Sequence, residues 1–203
     1  MQERAPLTAR ASTKIAAITF AVLTVISLFV LLSLPKTYVA VTRVEVITKT
    51  TAVNAPQSGR DPYFIQSEFE KIKSSVVLIT AYRELLRNPQ FKNVARTPAQ
   101  DDTIASRALL AGLEVRQSRN TSLFEIRYVD RDPQSAALVA NTIARAYAAE
   151  AKERGSGEVR IIDLAQPPAR PASPNVPLLL TIATALNLVL AVLAGFFASN
   201  LFR

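Results

Sequence analysis

At 203 residues, 49% of them hydrophobic, the chain has room for one domain of roughly 130 residues once two long apolar segments are set aside. It contains no Cys and no His, which excludes a disulfide framework, thiolate or imidazole nucleophiles and the usual zinc ligands. The net charge of +8 is spread over single Lys and Arg residues, not gathered in a run or a helix stripe, and this argues against nucleic acid as a partner.

In chain order, a tail at 1–14 carries Arg4, Arg10 and Lys14 against Glu3. Residues 15–34 then hold no charge, and as a helix they extend about 30 Å, the thickness of bilayer hydrocarbon. This reads as a first transmembrane helix. The segment is longer than the apolar core of a signal peptide, and Pro35-Lys36 is a poor approach to a cleavage site. Residues 35–165 read as an extracytoplasmic α/β domain that opens with a strand from Tyr38 to Thr48. Asp61-Pro62, Thr97-Pro98 and Asp132-Pro133 each place a side-chain oxygen at an N-cap and proline at the first helical position, where its missing N–H does no harm. Gln100 completes a capping box with Thr97. These starts predict one long amphipathic helix from about Pro62 to Arg87, a shorter one from about Pro98 to Ala111, and a third from Pro133 to about Arg154. Asn88-Pro89 stops the first and Gly155-Ser156-Gly157 the third.

Further strands are expected at Leu113 to Ser118, Leu123 to Val129 and Glu158 to Leu164, with Arg119-Asn120-Thr121 as a hairpin turn. The order strand, helix, helix, strand, strand, helix, strand predicts an α+β fold whose small sheet is covered by helices on one face, with both chain ends at the membrane. A proline-rich connector at 166–177 follows. Pro168, Pro171, Pro174 and Pro177 fall three residues apart, the period of a polyproline II helix, so the spacing predicts a stiff rod with these prolines on one face; a plain linker is the simpler reading. A second transmembrane helix at 178–200 has only Asn187 and Asn200 as strongly polar residues, and a stub at 201–203 ends the chain. Basic residues on the short ends place both termini in the cytoplasm, and the long middle region does not count in that rule.

Several residues stand out as candidates. Ala191, Gly195 and Ser199 recur every four residues and allow close helix approach, and Asn187 can hydrogen-bond a neighbouring helix. Arg116, Arg119, Arg127 and Arg131 are of the type that contacts pyrophosphate-linked glycans or acidic sugars, although Arg116 and Arg127 also sit at alternating strand positions that face solvent. The acidic pairs Asp101-Asp102 and Asp130 with Asp132 read as helix caps before they read as catalytic acids. No phosphate-binding loop of the GK[ST] type occurs, and no metal or cofactor site is expected.

A larger pattern joins these parts. The stretches are Tyr38-Val39-Ala40-Val41-Thr42 after the first span, residues 66–77 (QSEFEKIKSSVV), residues 120–126 (NTSLFEI), and residues 132–141 (DPQSAALVAN) with Tyr147 beyond. With the proline run before the second span, they resemble the polysaccharide co-polymerases, the Wzz-type chain-length determinant family, over about residues 15 to 203. The resemblance implies a non-enzymatic, homo-oligomeric scaffold, a ring, in a bacterial inner (plasma) membrane with its central domain periplasmic. It implies a role in the polymerisation, chain length or export of a lipid-linked O-antigen, capsule or exopolysaccharide, no cofactor, and membrane lipid with a polysaccharide polymerase, flippase or export machinery as partners. The family's long helical arm is missing here, since Glu158 follows closely on Gly155. A minimal member without a fused tyrosine kinase is implied. The alternative is a transmembrane adaptor that activates a separate cytoplasmic tyrosine kinase.

Overall fold

A computed structural model describes residues 5–47, 62–89, 101–118, 121–155 and 157–201, with side chains within 13–200. Glu3, Arg4, Thr48, Asp61, Thr97, Pro98, Gln100, Arg119, Asn120, Ser156 and Arg203 lie outside the described residues. The chain divides into two compact units, one of Met1–Lys36 with Ser173–Arg203 and one of Thr37–Ala172.

The unit at 37–172 is α+β. Its sheet comprises β1 (Tyr38–Ile47), β2 (Leu113–Gln117), β3 (Leu123–Asp130) and β4 (Glu158–Asp163) in the order β2-β3-β1-β4, every neighbouring pair antiparallel. Side chains alternate across it, as the period of two requires. Ala40, Thr42, Val44 and Val46 of β1 lie on one face with Val115 of β2 and Phe124 and Ile126 of β3, all buried. Arg43 and Glu45 share the other face with Glu114, Arg116, Glu125 and Arg127.

The helix α5 (Pro133–Glu153) packs on the apolar face through Ala136, Ala140, Ile143, Ala144 and Tyr147, and its alanines let the helix approach the strands closely. As expected, Asp132 is its N-cap, accepting from the Ser135 backbone N–H at 2.7 Å, with Pro133 in the first turn. Gly155 follows the helix with φ +64°, the left-handed conformation that glycine adopts without strain.

The long helix expected over Pro62 to Arg87 is instead two helices, α2 (Pro62–Ile72) and α3 (Ser75–Arg87). Ser74 is the N-cap of α3, with extended backbone and its hydroxyl accepting from Val77 N–H at 3.4 Å. The break shifts the apolar phase. In one unbroken helix Val76 would follow the buried Ile72 on the inner face one turn later, but it is 47% exposed, whereas Val77 and Leu78 are each 1% exposed. The next helix, α4, spans Asp102–Gly112, and its N-cap is Asp101 with extended backbone, so it begins later than the Pro98 start expected. Gly112 ends α4 against Tyr128, where an added Cβ would lie 2.9 Å from both the Tyr128 ring and the Val129 carbonyl oxygen.

The other unit holds α1 (Ala5–Ser33) and α6 (Val176–Leu201). Within them Thr13–Ser33 and Val176–Asn200, of 21 and 25 residues, are long and apolar enough to cross a membrane. The proline segment departs from the expected rod. The chain bends at 169–170 and again at 172, and Pro177 already belongs to the first turn of α6, where its missing N–H is tolerated. Asn175 precedes that turn and accepts from Leu178 N–H at 3.4 Å. The three-residue spacing therefore does not line one continuous face.

Candidate functional site

The open face of the sheet brings two of the four candidate arginines together, Arg116 and Arg127, and it pairs them with carboxylates. Arg116 contacts Glu114 at 2.6 Å. Arg127 lies 3.5 Å from Glu114 and 3.6 Å from Glu125. Arg43, which the sequence did not single out, continues the chain to Glu125 at 3.3 Å and Asp163 at 3.5 Å. Three cations and three carboxylates thus alternate across all four strands. The Arg127 Nε is buried and has no hydrogen-bond partner, so its approach to Glu114 is electrostatic attraction without the directional bond. A site for an anionic ligand needs cationic charge left over. Arg116 and Arg127 have theirs neutralised within the sheet. Arg131 is exposed and forms no ion pair among the described residues, and Arg119 lies outside them.

The acidic pairs are engaged in structure as well. Asp101 accepts from the Thr103 backbone N–H at 3.0 Å and from its hydroxyl at 2.9 Å, and these bonds hold its carboxyl below the usual range. Asp102 pairs with Arg83 at 2.5 Å. Asp130 accepts from the Ser135 hydroxyl at 2.7 Å. Burial, with a smaller contribution from Asp130, pushes the Tyr128 hydroxyl up to about 12.

Two polar centres inside the unit escaped the sequence reading. Glu68 of α2 is buried, accepts from the hydroxyl of the buried Tyr147 on α5, and pairs with Lys71 at 2.6 Å. Burial first, and then the bond to Glu68, raises the Tyr147 hydroxyl above its ordinary value. Asn141 of α5 is the second centre. Its Oδ1 accepts from the Thr42 hydroxyl at 2.7 Å and from Ala165 N–H at 2.8 Å, while its Nδ2 donates to the Ala165 carbonyl at 2.9 Å. That clamp fixes the chain where it leaves β4. Further on, Ala172 N–H donates to the Thr37 carbonyl at 2.8 Å, so the first and last residues of the unit are tied together. An Asn in a helix stretch otherwise rich in Ala was the available signal for the clamp, but Ala165 offered none.

In the apolar unit, the small-residue stripe of α6 faces α1. Asn187 Nδ2 donates to Ser27 Oγ at 3.1 Å, Ala191 is 1% exposed, and Gly195 is buried. Ser199 is only partly buried and returns its hydroxyl to the Phe196 carbonyl at 2.7 Å. Three of the four stripe residues are therefore taken up by the partner helix of the same chain. Among the described residues no group of three or more Asp or Glu side chains could hold a metal ion. Set against known proteins, the chain matches no family model and no curated protein.

Proposed function

We propose that this protein is a two-pass scaffold of a bacterial inner membrane, with both termini cytoplasmic and residues 37–172 periplasmic. In this reading it assembles with copies of itself and modulates the polymerisation, chain length or export of a lipid-linked surface polysaccharide, without catalysing a reaction of its own. The observation that carries the reading is the closure of the α+β unit at Thr37 and Ala172, the residues that continue directly into the two apolar helices. A domain whose entry and exit are hydrogen-bonded to each other suits attachment to two neighbouring spans. Phe29 and Leu32, exposed at 72% and 73%, suit contact with lipid and not with water. The layout resembles the Wzz-type co-polymerases, and the caps and ion pairs that occupy the acidic residues support a non-enzymatic role.

Deleting the gene is expected to shift the length distribution or the amount of a surface polysaccharide. An unchanged glycan profile counts decisively against the reading. Topology has its own test. Because the chain has no cysteine, Gln134→Cys gives a single thiol at an exposed position of the α+β unit, which a membrane-impermeant reagent should label from outside the inner membrane.

A further inference from the structure

Among the described residues the sheet ends in two edges, β2 and β4, each hydrogen-bonded on one side only. Because every neighbouring pair is antiparallel, β2 runs with β1 and β4 runs against it. Two copies set side by side with their sheets in line therefore present β4 of one and β2 of the next in opposite directions. That is the orientation in which an antiparallel ladder forms.

The side chains of the two edges fit each other in one register. If Glu158 stands opposite Arg116, then Val159 meets Val115, Arg160 meets Glu114 and Ile161 meets Leu113. Both ionic pairs fall on the open face, since Glu114 and Arg116 oppose Arg127 and Glu125, and Glu158 and Arg160 oppose Ile47 and Glu45. Both apolar pairs fall on the helix-covered face, where Leu113 and Val115 are buried and Val159 and Ile161 pack against the core. A slip of one residue mixes the two faces. A slip of two residues sets Arg160 opposite Arg116 in one direction, or Glu158 opposite Glu114 in the other, and like charges directly opposite repel. Glu158 and Arg160 form no ion pair among the described residues, and set against the Arg116–Glu114 pair of the neighbour they extend it into an alternating cluster of two cations and two carboxylates.

We infer that the α+β units of adjacent copies join edge to edge, β4 of one adding to β2 of the next with Glu158 opposite Arg116 and Arg160 opposite Glu114. The occupant of each edge is thus a second copy of this chain. Such a contact is head to tail, so it closes into a ring when the rotation per copy divides a full turn. The inference rests on the proposed membrane oligomer and adds to it the surface through which the copies meet.

Disulfide trapping of the full chain in native membranes tests it. On mild oxidation the double variant Arg116→Cys/Glu158→Cys is expected to give a ladder of linked multimers, while each single variant gives none. The register-shifted pair Arg116→Cys/Arg160→Cys is expected to give far less, because diagonal neighbours stand farther apart than a disulfide spans. Without cysteines, Glu158→Arg is expected to lose the assembly, and Glu158→Arg/Arg116→Glu to recover it, which separates repulsion from misfolding. An oligomer of unchanged size that yields no ladder and tolerates Glu158→Arg overturns this inference and leaves the scaffold reading standing. A chain that is strictly monomeric in the membrane overturns both.

Discussion

In each unit of the molecule an asparagine amide reaches a neighbouring element, and these two amides are engaged very differently. Asn141 makes three hydrogen bonds, two of them to the backbone of Ala165 just past β4 and one from the Thr42 hydroxyl. Asn187 makes one bond, to Ser27 on the facing helix. The contrast follows from where the backbone is already satisfied. Ala165 has left the sheet, so its N–H and C=O have no strand partner and the amide supplies both. The backbone of α1 and α6 is bonded within each helix, so Asn187 adds to a contact that Ala191 and Gly195 already make close. One amide replaces a missing piece of secondary structure, and the other selects a neighbour.

The largest effect is expected on the Asn141 side of this comparison. Asn141→Leu removes all three bonds and leaves two backbone groups and a buried hydroxyl unsatisfied, a loss of about 3 kcal/mol. Denaturant unfolding of the detergent-solubilised chain measures it. Hydrogen exchange should rise first at 164–172, the segment the clamp anchors, and unchanged protection there would mean that β4 holds the exit strand unaided. Gly112→Ala comes next. Its methyl would meet the Tyr128 ring and the Val129 carbonyl at 2.9 Å, and the carbonyl belongs to a central strand that cannot swing aside. Overpacking of this kind costs about 2 kcal/mol, read from the same unfolding curve, and should leave the α1 and α6 helices unaffected.

Raising the pH attacks the α+β unit selectively as well. Tyr128 and Tyr147 both hold their protons more tightly in the folded unit than in the unfolded chain, with Tyr128 at about 12 against an ordinary 10.0. Their contribution is complete below the unfolded value. It is lost as the pH rises above about 10 toward the folded values, because the unfolded chain then ionises first. Thermal melts between pH 9 and 11 should show the α+β unit weakening over that range, and Tyr128→Phe should flatten the loss. A melt indifferent to pH over that range contradicts the burial of both hydroxyls.

The same contrasts separate features that neighbouring residues dictate from features that arise only when distant segments meet. The Asp132–Pro133 start of α5, the antiparallel β2–β3 pair and the two apolar helices follow from local signals: a cap, a period of two, an uncharged run. The split between α2 and α3 did not, because Val76, Val77 and Leu78 are all apolar and only packing decides which of them turns inward. The proline spacing was visible, but a helix that begins at Val176 claims Pro177 and breaks the period. Arg116 and Arg127 were recognisable as alternating strand residues. The pairing of Arg127 with Glu114 depends on distant segments, because only the register of β2 against β3 sets those two residues opposite each other. Asn141 stood in a conspicuous stretch, yet its role depends on where Ala165 ends up.

The smallest expected effect is the one that tests the other half of the comparison. Asn187→Leu removes the bond to Ser27 but leaves α1 and α6 with complete internal hydrogen bonding and puts an apolar side chain in place of the amide. For helices that cross a bilayer, as proposed for α1 and α6, interhelical hydrogen bonds are worth about 0.6 kcal/mol on average, since the separated helices find other partners. The substitution should therefore leave the fold and the amount of membrane-inserted protein unchanged, with at most a small loss of contact between the helices. A pair of cysteines at Leu23 and Ala191, one on each helix, would report that contact through disulfide yield. Should Asn187→Leu abolish the cross-link while Gly195→Leu does not, the amide and not the small-residue surface would be holding the pair, and the distinction between the two asparagines would fail.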